Sequence, residues 1–99
     1  MPTLLIKILT GPLKGTEQRF DRFPIVLGRS PDCAIPLSGD DRISRSHARI
    51  RHVPQGFVIE DLQSKNGTCV NGAPVQHWNL SDGDLISLGD QKLLYKLQK

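Results

Sequence analysis

Short runs of alternating apolar and polar residues, separated by Gly, Pro, Asn or Asp, make up most of this chain. The run that ends at Val53 shows the pattern clearly, because Ala48 and Ile50 fall on one face while Arg49 falls on the other. No window of about 11 residues or more repeats its apolar positions with a helical period. The pattern therefore predicts strands over residues 3–9, 16–20, 23–27, 34–37, 47–53, 57–62, 68–70, 73–75, 85–88 and 92–97.

Turn signals between these segments indicate the class of fold. Asn71-Gly72 predicts a tight hairpin between residues 68–70 and 73–75, because both residues tolerate a positive φ. The stretch 76–84 lacks strand character, and we expect its Trp78 to cover one end of the core. Many short strands at close turn spacing predict an all-β fold, either a sandwich or a small barrel.

The size of the chain predicts one domain. With 99 residues there is room for a single hydrophobic core, so we predict one domain over residues 1–99. No apolar run approaches the roughly 20 residues that cross a bilayer, and the run Leu4-Leu5-Ile6 ends at Lys7. We therefore expect neither a membrane span nor a signal peptide.

The two cysteines do not indicate a metal site. Cys33 and Cys69 lie in unlike contexts, with no CxxC pair and no cluster of histidines, so no zinc site and no cofactor are predicted. Two reduced thiols in a cytoplasmic protein are the favoured interpretation, while a single disulfide stays open as an alternative.

Positive charge is concentrated in one segment of the sequence. The net charge is only +3, but residues 42–51 contain four arginines and no carboxylate. Such a segment produces a local positive potential, which attracts anionic ligands. A solvated basic face on a strand is the alternative interpretation.

Groups suited to binding a phosphate lie on the predicted connections between strands. A phosphorylated side chain carries about −1.5 to −2 charge and presents three strong acceptor oxygens. Arg29 follows Gly28 at the end of a predicted strand, so its guanidinium can reach outward. Ser44 and Arg45 offer a hydroxyl and a second guanidinium. Lys65 adds charge, and the Asn66 amide can bond to the main chain of an extended peptide.

Four motifs along the chain occur in the order and spacing of a known family. They are Gly28-Arg29, Ser44-Arg45-Ser46-His47, Ser64-Lys65-Asn66-Gly67-Thr68 and Asn71-Gly72. Together with the segment 80–86, they resemble the forkhead-associated (FHA) domain over nearly the whole chain. The resemblance implies an antiparallel β-sandwich of about eleven short strands that binds phosphothreonine peptides through loops at one end.

The resemblance also implies roles for individual residues. Arg29 and Ser44 would bind the phosphate, and Arg45 and Lys65 would support it. Asn66 would hydrogen-bond the main chain of the peptide. The residues implied to support the loops without touching the ligand are Gly28, His47, Ser64, Gly67, Thr68, Asn71 and Gly72.

Other functions were weighed against phosphopeptide binding. Catalysis is not predicted, because nothing around Ser44, Ser46 and His47 resembles a nucleophile elbow or an oxyanion-hole glycine pattern. Non-specific binding of nucleic-acid phosphates is the main alternative, although Trp78 alone among the aromatic residues lies outside a strand pattern and could stack on bases. A docking module that does not need phosphate is a further alternative.

The expected partner is therefore a phosphothreonine-containing protein or peptide. We expect a monomeric, cytoplasmic module in signalling, with no nucleic-acid partner and no membrane partner.

Overall fold

The computed structural model describes residues 3–97, which form an all-β sandwich. Its eleven strands are β1 (Leu4–Ile8), β2 (Glu17–Phe20), β3 (Ile25–Gly28), β4 (Ile35–Pro36), β5 (Ala48–Val53), β6 (Gly56–Asp61), β7 (Thr68–Val70), β8 (Ala73–Val75), β9 (His77–Asn79), β10 (Leu85–Leu88) and β11 (Gln91–Leu97). The predicted fold class is confirmed. Among the described residues, no helix is long and apolar enough to cross a membrane.

The strands pair into two sheets that enclose one core. One sheet has the order β2-β1-β11-β10-β7-β8, and the other has the order β4-β3-β5-β6-β9. The pairs are antiparallel, with the exception of the parallel pair β3–β4. Alternate residues point into the core, as Leu4, Ile6 and Ile8 do on β1.

Most predicted strands agree with the structure to within two residues, but β9 was not predicted. It lies in the stretch that the sequence analysis assigned to a connection, residues 76–84. All three residues of β9 are exposed, so this edge strand carries no alternating apolar signal. Trp78 lies on β9 with 46% of its surface exposed, and the expectation that it covers one end of the core is therefore not met.

The strand registers bring the loops that carry the predicted ligands to one end of the sandwich. Ala48 at the start of β5 pairs with both Leu27 near the end of β3 and Asp61 at the end of β6. Thr68 at the start of β7 pairs with Leu88 at the end of β10. The β1–β2, β3–β4, β4–β5, β6–β7 and β10–β11 loops consequently share this end, which we call the loop end.

The β7–β8 hairpin lies at the opposite end. Its predicted turn, Asn71-Gly72, is present with φ angles of 52° and 85°. The Asn71 side chain accepts a hydrogen bond from the Leu85 N–H and donates one to Asp84 Oδ1, both at 2.9 Å. This turn therefore supports the segment that leads into β10 and does not contact the loop end.

We expect Asn71→Ala to lower the free energy of unfolding by about 2 kcal/mol, because two hydrogen bonds are lost and alanine is disfavoured at positive φ. Asn71→Gly should recover part of this loss, since glycine tolerates the backbone conformation but cannot make either bond. Urea unfolding, with the exposed Asn79→Ala as the control, measures both effects. Wild-type stability of Asn71→Ala would contradict this account of the turn.

Candidate functional site

The end of β3 lies very close to the β4–β5 loop. The N–H groups of Arg29 and Ser30 donate to the carbonyl oxygens of Ser44 (3.0 Å) and Arg45 (3.2 Å). A Cβ atom on Gly28 would lie 2.1 Å from the Arg45 carbonyl oxygen, which is closer than real Cβ contacts allow. Position 28 therefore requires glycine, and its missing side chain lets the two loops meet.

A hydrogen bond from Nε orients the Arg29 side chain. The side chain is partly buried, and Nε donates a hydrogen bond to the Ile43 carbonyl oxygen at 3.0 Å. The guanidinium keeps the N–H groups of Nη1 and Nη2 for a ligand. Arg29 borders a pocket of about 280 Å³, which we call the loop-end pocket, together with Ser30, Pro31 and Arg45.

The Ser44 hydroxyl joins the β4–β5 loop to the β6–β7 loop. Its Oγ atom accepts a hydrogen bond from the Lys65 N–H at 3.0 Å. A serine hydroxyl has one hydrogen as well as two lone pairs, so the Ser44 O–H can still donate to an anion. The side chains of Lys65 and Arg45 are both exposed.

His47 forms a buried bridge between the same two loops. The side chain has 0% exposed surface. Nδ1 accepts a hydrogen bond from the Ser44 N–H at 3.1 Å, and Nε2 lies 2.7 Å from the Gly67 carbonyl oxygen. Because Nδ1 is an acceptor, the ring hydrogen is assigned to Nε2, which donates to that carbonyl. The imidazole therefore sets the distance between the loops and cannot touch a ligand.

Asp61 organises the β6–β7 loop, and the sequence analysis did not identify this role. Oδ1 accepts hydrogen bonds from the hydroxyls of Ser64 (2.5 Å) and Thr68 (2.7 Å), and Oδ2 accepts one from the Ser64 N–H (3.1 Å). Ser64 Oγ in turn accepts a bond from the Gly67 N–H at 2.9 Å. An aspartate at a strand end with a serine three residues later is a local signal that could have identified this role.

The same hydrogen bonds control the charge of Asp61. Burial would raise the pKa of its carboxyl, but the bonds from the Ser64 hydroxyl, the Thr68 hydroxyl and the Ser64 N–H outweigh burial and leave the pKa below its ordinary value. The charged form is therefore the one that stabilises the loop.

Asn66 ties the β6–β7 loop to the β4–β5 loop at the surface. Its Nδ2 donates a hydrogen bond to the Arg42 carbonyl oxygen at 2.9 Å, and the side chain is exposed. An amide has a second N–H and an acceptor oxygen, so Asn66 can keep this bond and still engage a peptide main chain.

Three of the four arginines in the basic segment 42–51 form ion pairs. Arg49 and Arg51 both pair with Glu60, at 2.9 and 3.1 Å. Arg42 pairs with Asp40 of its own loop and with Asp90 of the β10–β11 loop. In the described part of the chain, Arg45 is the one arginine of this segment without a carboxylate partner. Three of the four arginines of the segment therefore have a carboxylate partner, and the unpaired Arg45 lies at the loop end, while the local positive potential stays a prediction.

Three loops together assemble the site. The predicted ligand residues that they bring to the loop end are Arg29, Ser44, Arg45, Lys65 and Asn66. Of the residues predicted to support the loops, only Asn71 and Gly72 lie at the opposite end. Residues 3–97 contain no group of three or more His, Cys, Asp or Glu side chains that could hold a metal ion.

Comparison with known proteins establishes the family. The FHA domain model matches residues 25–89, and the chain therefore belongs to the FHA domain family. The FHA domain-containing protein FhaA of Mycobacterium tuberculosis is 43% identical over 72 residues, which are 73% of this chain and 14% of FhaA. The oxoglutarate dehydrogenase inhibitor of Corynebacterium jeikeium is 35% identical over 91 residues, which are 92% of this chain and 62% of the inhibitor. The chain thus spans less than two thirds of either relative.

Solved structures share the whole fold. An FHA domain from a structural and functional analysis of phosphothreonine-dependent FHA domain interactions is 34% identical, with a TM-score of 0.87 over 98% of both chains. The FHA domain of FhaA, solved in complex with the intracellular domain of Rv3910, is 35% identical, with a TM-score of 0.84 over 94% of this chain and 99% of that one.

We expect Asp61→Asn to lower the free energy of unfolding by about 2 kcal/mol at pH 7, because a carboxylate accepts these hydrogen bonds more strongly than an amide. The pKa of Asp61 is lower in the folded state than its ordinary value. The stabilisation is therefore complete when the pH is above the ordinary pKa, and it is lost as the pH falls through the lowered folded-state pKa. The difference from wild type should therefore shrink below about pH 4.

Chemical denaturation at pH 7 and pH 3 measures this difference. Asp41→Asn, at an exposed position in the β4–β5 loop, is the matched control and should change stability little. If Asp61→Asn lowers the free energy of unfolding by the same amount at both pH values, the charge of Asp61 does not stabilise the loop.

Proposed function

We propose that residues 1–99 form a non-catalytic module that recognises phosphothreonine in an extended peptide and so mediates phosphorylation-dependent protein–protein interaction in signalling. One observation carries the proposal. The Lys65 N–H bonds to the Ser44 hydroxyl, Arg29 and Arg45 border one pocket at the same end of the sandwich, and within residues 3–97 none of these three cations has a carboxylate partner. Such a site offers a dianion both charge and N–H or O–H donors.

The proposed ligands differ in what they supply to the phosphate. Arg29 donates from Nη1 and Nη2, since its Nε is already bonded to Ile43. The Ser44 hydroxyl donates its hydrogen, because its oxygen accepts the Lys65 N–H. Arg45 and Lys65 add charge from exposed positions, where they can follow the phosphate as it binds.

Asn66 is proposed to fix the main chain of the peptide. An extended peptide presents one N–H and one C=O per residue, and the primary amide can pair with both. Its existing bond to the Arg42 carbonyl holds the amide at the edge of the site before a peptide arrives.

Similar proteins support this function. The structure with a TM-score of 0.87 comes from work on phosphothreonine-dependent FHA domain interactions. EmbR of Mycobacterium tuberculosis was solved in complex with a low affinity phosphopeptide. Its structure is 26% identical to this chain, with a TM-score of 0.85 over 96% of this chain and 24% of EmbR.

We also propose a monomer in the cytoplasm as the working form. One copy of the chain supplies all the proposed ligand residues, so the site needs no second copy. Cys33 and Cys69 are free thiols, which suits a reducing compartment.

Arg29→Ala should weaken binding of a phosphothreonine peptide at least about a hundredfold, because charge-assisted hydrogen bonds contribute roughly 1.5–3 kcal/mol each and two are lost. Arg51→Ala, on the strand face near the other end of β5, is the matched control and should bind like wild type. Calorimetry with the phosphorylated and the unphosphorylated peptide measures the effect. Equal affinities of wild type and Arg29→Ala would refute the assigned phosphate site.

The affinity should also fall as the pH decreases through about 6, the second pKa of the phosphate, because the peptide loses one of its two negative charges. Titrations from pH 7.5 to pH 5 test this, with a peptide that carries glutamate in place of phosphothreonine as the control. An affinity that stays constant over this range would be inconsistent with a site that selects the dianion.

A further inference from the structure

The charged residues on the strands of the six-stranded sheet all lie on its outer face. On β1 the residues from Leu4 to Ile8 alternate between buried and partly exposed positions, and Lys7 occupies one of the partly exposed ones. The strand registers place the other charged residues of these strands on the same face. They are Glu17 and Arg19 on β2, and Lys92 and Lys96 on β11. Four cations and one carboxylate therefore share this surface, which we call the basic face.

Three of the cations form a diagonal row with Lys7 at its centre. Lys7 pairs directly with Glu17 on one side and with Leu94 on the other. Arg19 and Lys92 are each two residues away along those strands, in opposite directions from Lys7. Diagonal neighbours on adjacent strands are about 7–8 Å apart, so the cations of the row are separated by this distance.

The row has no carboxylate of its own. Glu17 is the one carboxylate of the basic face, and its Oε1 atom lies 3.3 Å from Lys96 Nζ. Among the described residues, Lys7, Arg19 and Lys92 have no carboxylate within ion-pair distance. The basic face therefore keeps an excess of positive charge.

The stability of the sheet does not explain this arrangement. On the five-stranded sheet, Glu60 forms ion pairs with both Arg49 and Arg51. On the basic face one carboxylate serves four cations, and like charges at neighbouring positions of a sheet destabilise it. A row of cations that opposes folding points to a role in binding an anion.

An extended acidic polypeptide matches the spacing of the row. In an extended chain, side chains on one face are two residues apart, which is roughly 6.6–7.2 Å. A segment with aspartate or glutamate at every second residue therefore presents carboxylates at nearly the spacing of the three cations.

Other polyanions fit the basic face less well. The aromatic residues of these six strands, Phe20 and Tyr95, both pack against or within the core, so this face offers no ring on which a base could stack. Leu5 and Leu94 lie partly buried between the cations and expose little apolar surface for insertion into a bilayer.

We propose that the basic face binds an extended acidic segment of a protein partner, with carboxylates of the segment on Arg19, Lys7 and Lys92. Lys96 joins the site by exchanging Glu17 for a carboxylate of the segment, because an exposed ion pair of this kind is weak. The basic face is formed by the strands and the phosphate site by the loops at their ends, so both can be occupied at once. This second surface does not require phosphorylation of the partner.

Fluorescence anisotropy with labelled, unphosphorylated peptides tests the proposal. The test peptide has nine residues, with glutamate at every second position and serine between. One control peptide carries the same glutamates in a single block, and another carries glutamine in their place. The protein is titrated as wild type, Lys7→Glu, Glu17→Gln and Lys14→Glu. Lys14 is exposed in the β1–β2 loop, so Lys14→Glu makes the same change of charge outside the basic face and is the matched control.

The alternating peptide should bind wild type and Lys14→Glu with similar affinity and bind Lys7→Glu about tenfold more weakly, because the reversed charge lies at the centre of the row. Glu17→Gln should bind it about threefold more tightly, since the competing carboxylate is gone. Raising the salt concentration should weaken binding, and an excess of phosphothreonine peptide should not displace the acidic one. Lys92→Glu should act like Lys7→Glu and serves if that variant does not fold.

Several outcomes would overturn the proposal. If the alternating peptide binds no better than the glutamine or the block peptide, the cations do not read an alternating acidic segment. If both charge reversals bind it like Lys14→Glu, the peptide lies elsewhere, and displacement by the phosphothreonine peptide would place it in the phosphate site. A single-stranded oligonucleotide or a vesicle of anionic phospholipid that binds more tightly than the peptide, with loss in Lys7→Glu, would assign the face to that other class of partner. None of these outcomes bears on the binding of phosphothreonine by Arg29.

Discussion

The binding end of the molecule depends on one buried imidazole. His47 has no exposed surface, and its two nitrogens bond to the backbone of two different loops, at Ser44 and at Gly67. A buried polar group that loses its partner costs more than the bond is worth, so the ring holds the loops at a fixed separation. Gly28 lets the end of β3 approach the β4–β5 loop, and hydrogen bonds to Asp61 organise the β6–β7 loop. The surface groups of the site are arranged by this buried layer.

This arrangement has a direct consequence for binding. A ligand that orders loose side chains pays an entropy cost, and groups held in place beforehand reduce that cost. Arg29 is anchored through Ile43, and the Ser44 hydroxyl is anchored through the Lys65 N–H. Arg42 pairs with Asp40 and Asp90, and Arg49 and Arg51 share Glu60, so Arg45 is the one arginine of the basic segment 42–51 without a carboxylate partner among the described residues.

Much of the fold could be predicted from the sequence, because strand alternation and turn residues are local signals. The Asn71-Gly72 hairpin is an example, and β9 is the counterexample, since an exposed edge strand has no buried face to reveal it. The motif resemblance pointed to loops that the structure brings together at one end of the sandwich. It could not show that Asn71 lies at the end of the sandwich opposite the loop end, because its position depends on the direction of β7. The ion pair of Arg49 with Glu60 joins residues on neighbouring strands, and charge counting along the chain cannot detect such a pair.

The central claim is that loops held together by His47 form the phosphate site before the ligand arrives. A crystal structure of the chain with a phosphothreonine peptide tests it most directly. We predict phosphate oxygens within about 3 Å of the Arg29 guanidinium and the Ser44 hydroxyl. We also predict that the bonds of His47 to Ser44 and Gly67 are unchanged in the complex. A phosphate bound away from Arg29 and Ser44, or loops that reach it only after the His47 bonds have broken, would contradict the account.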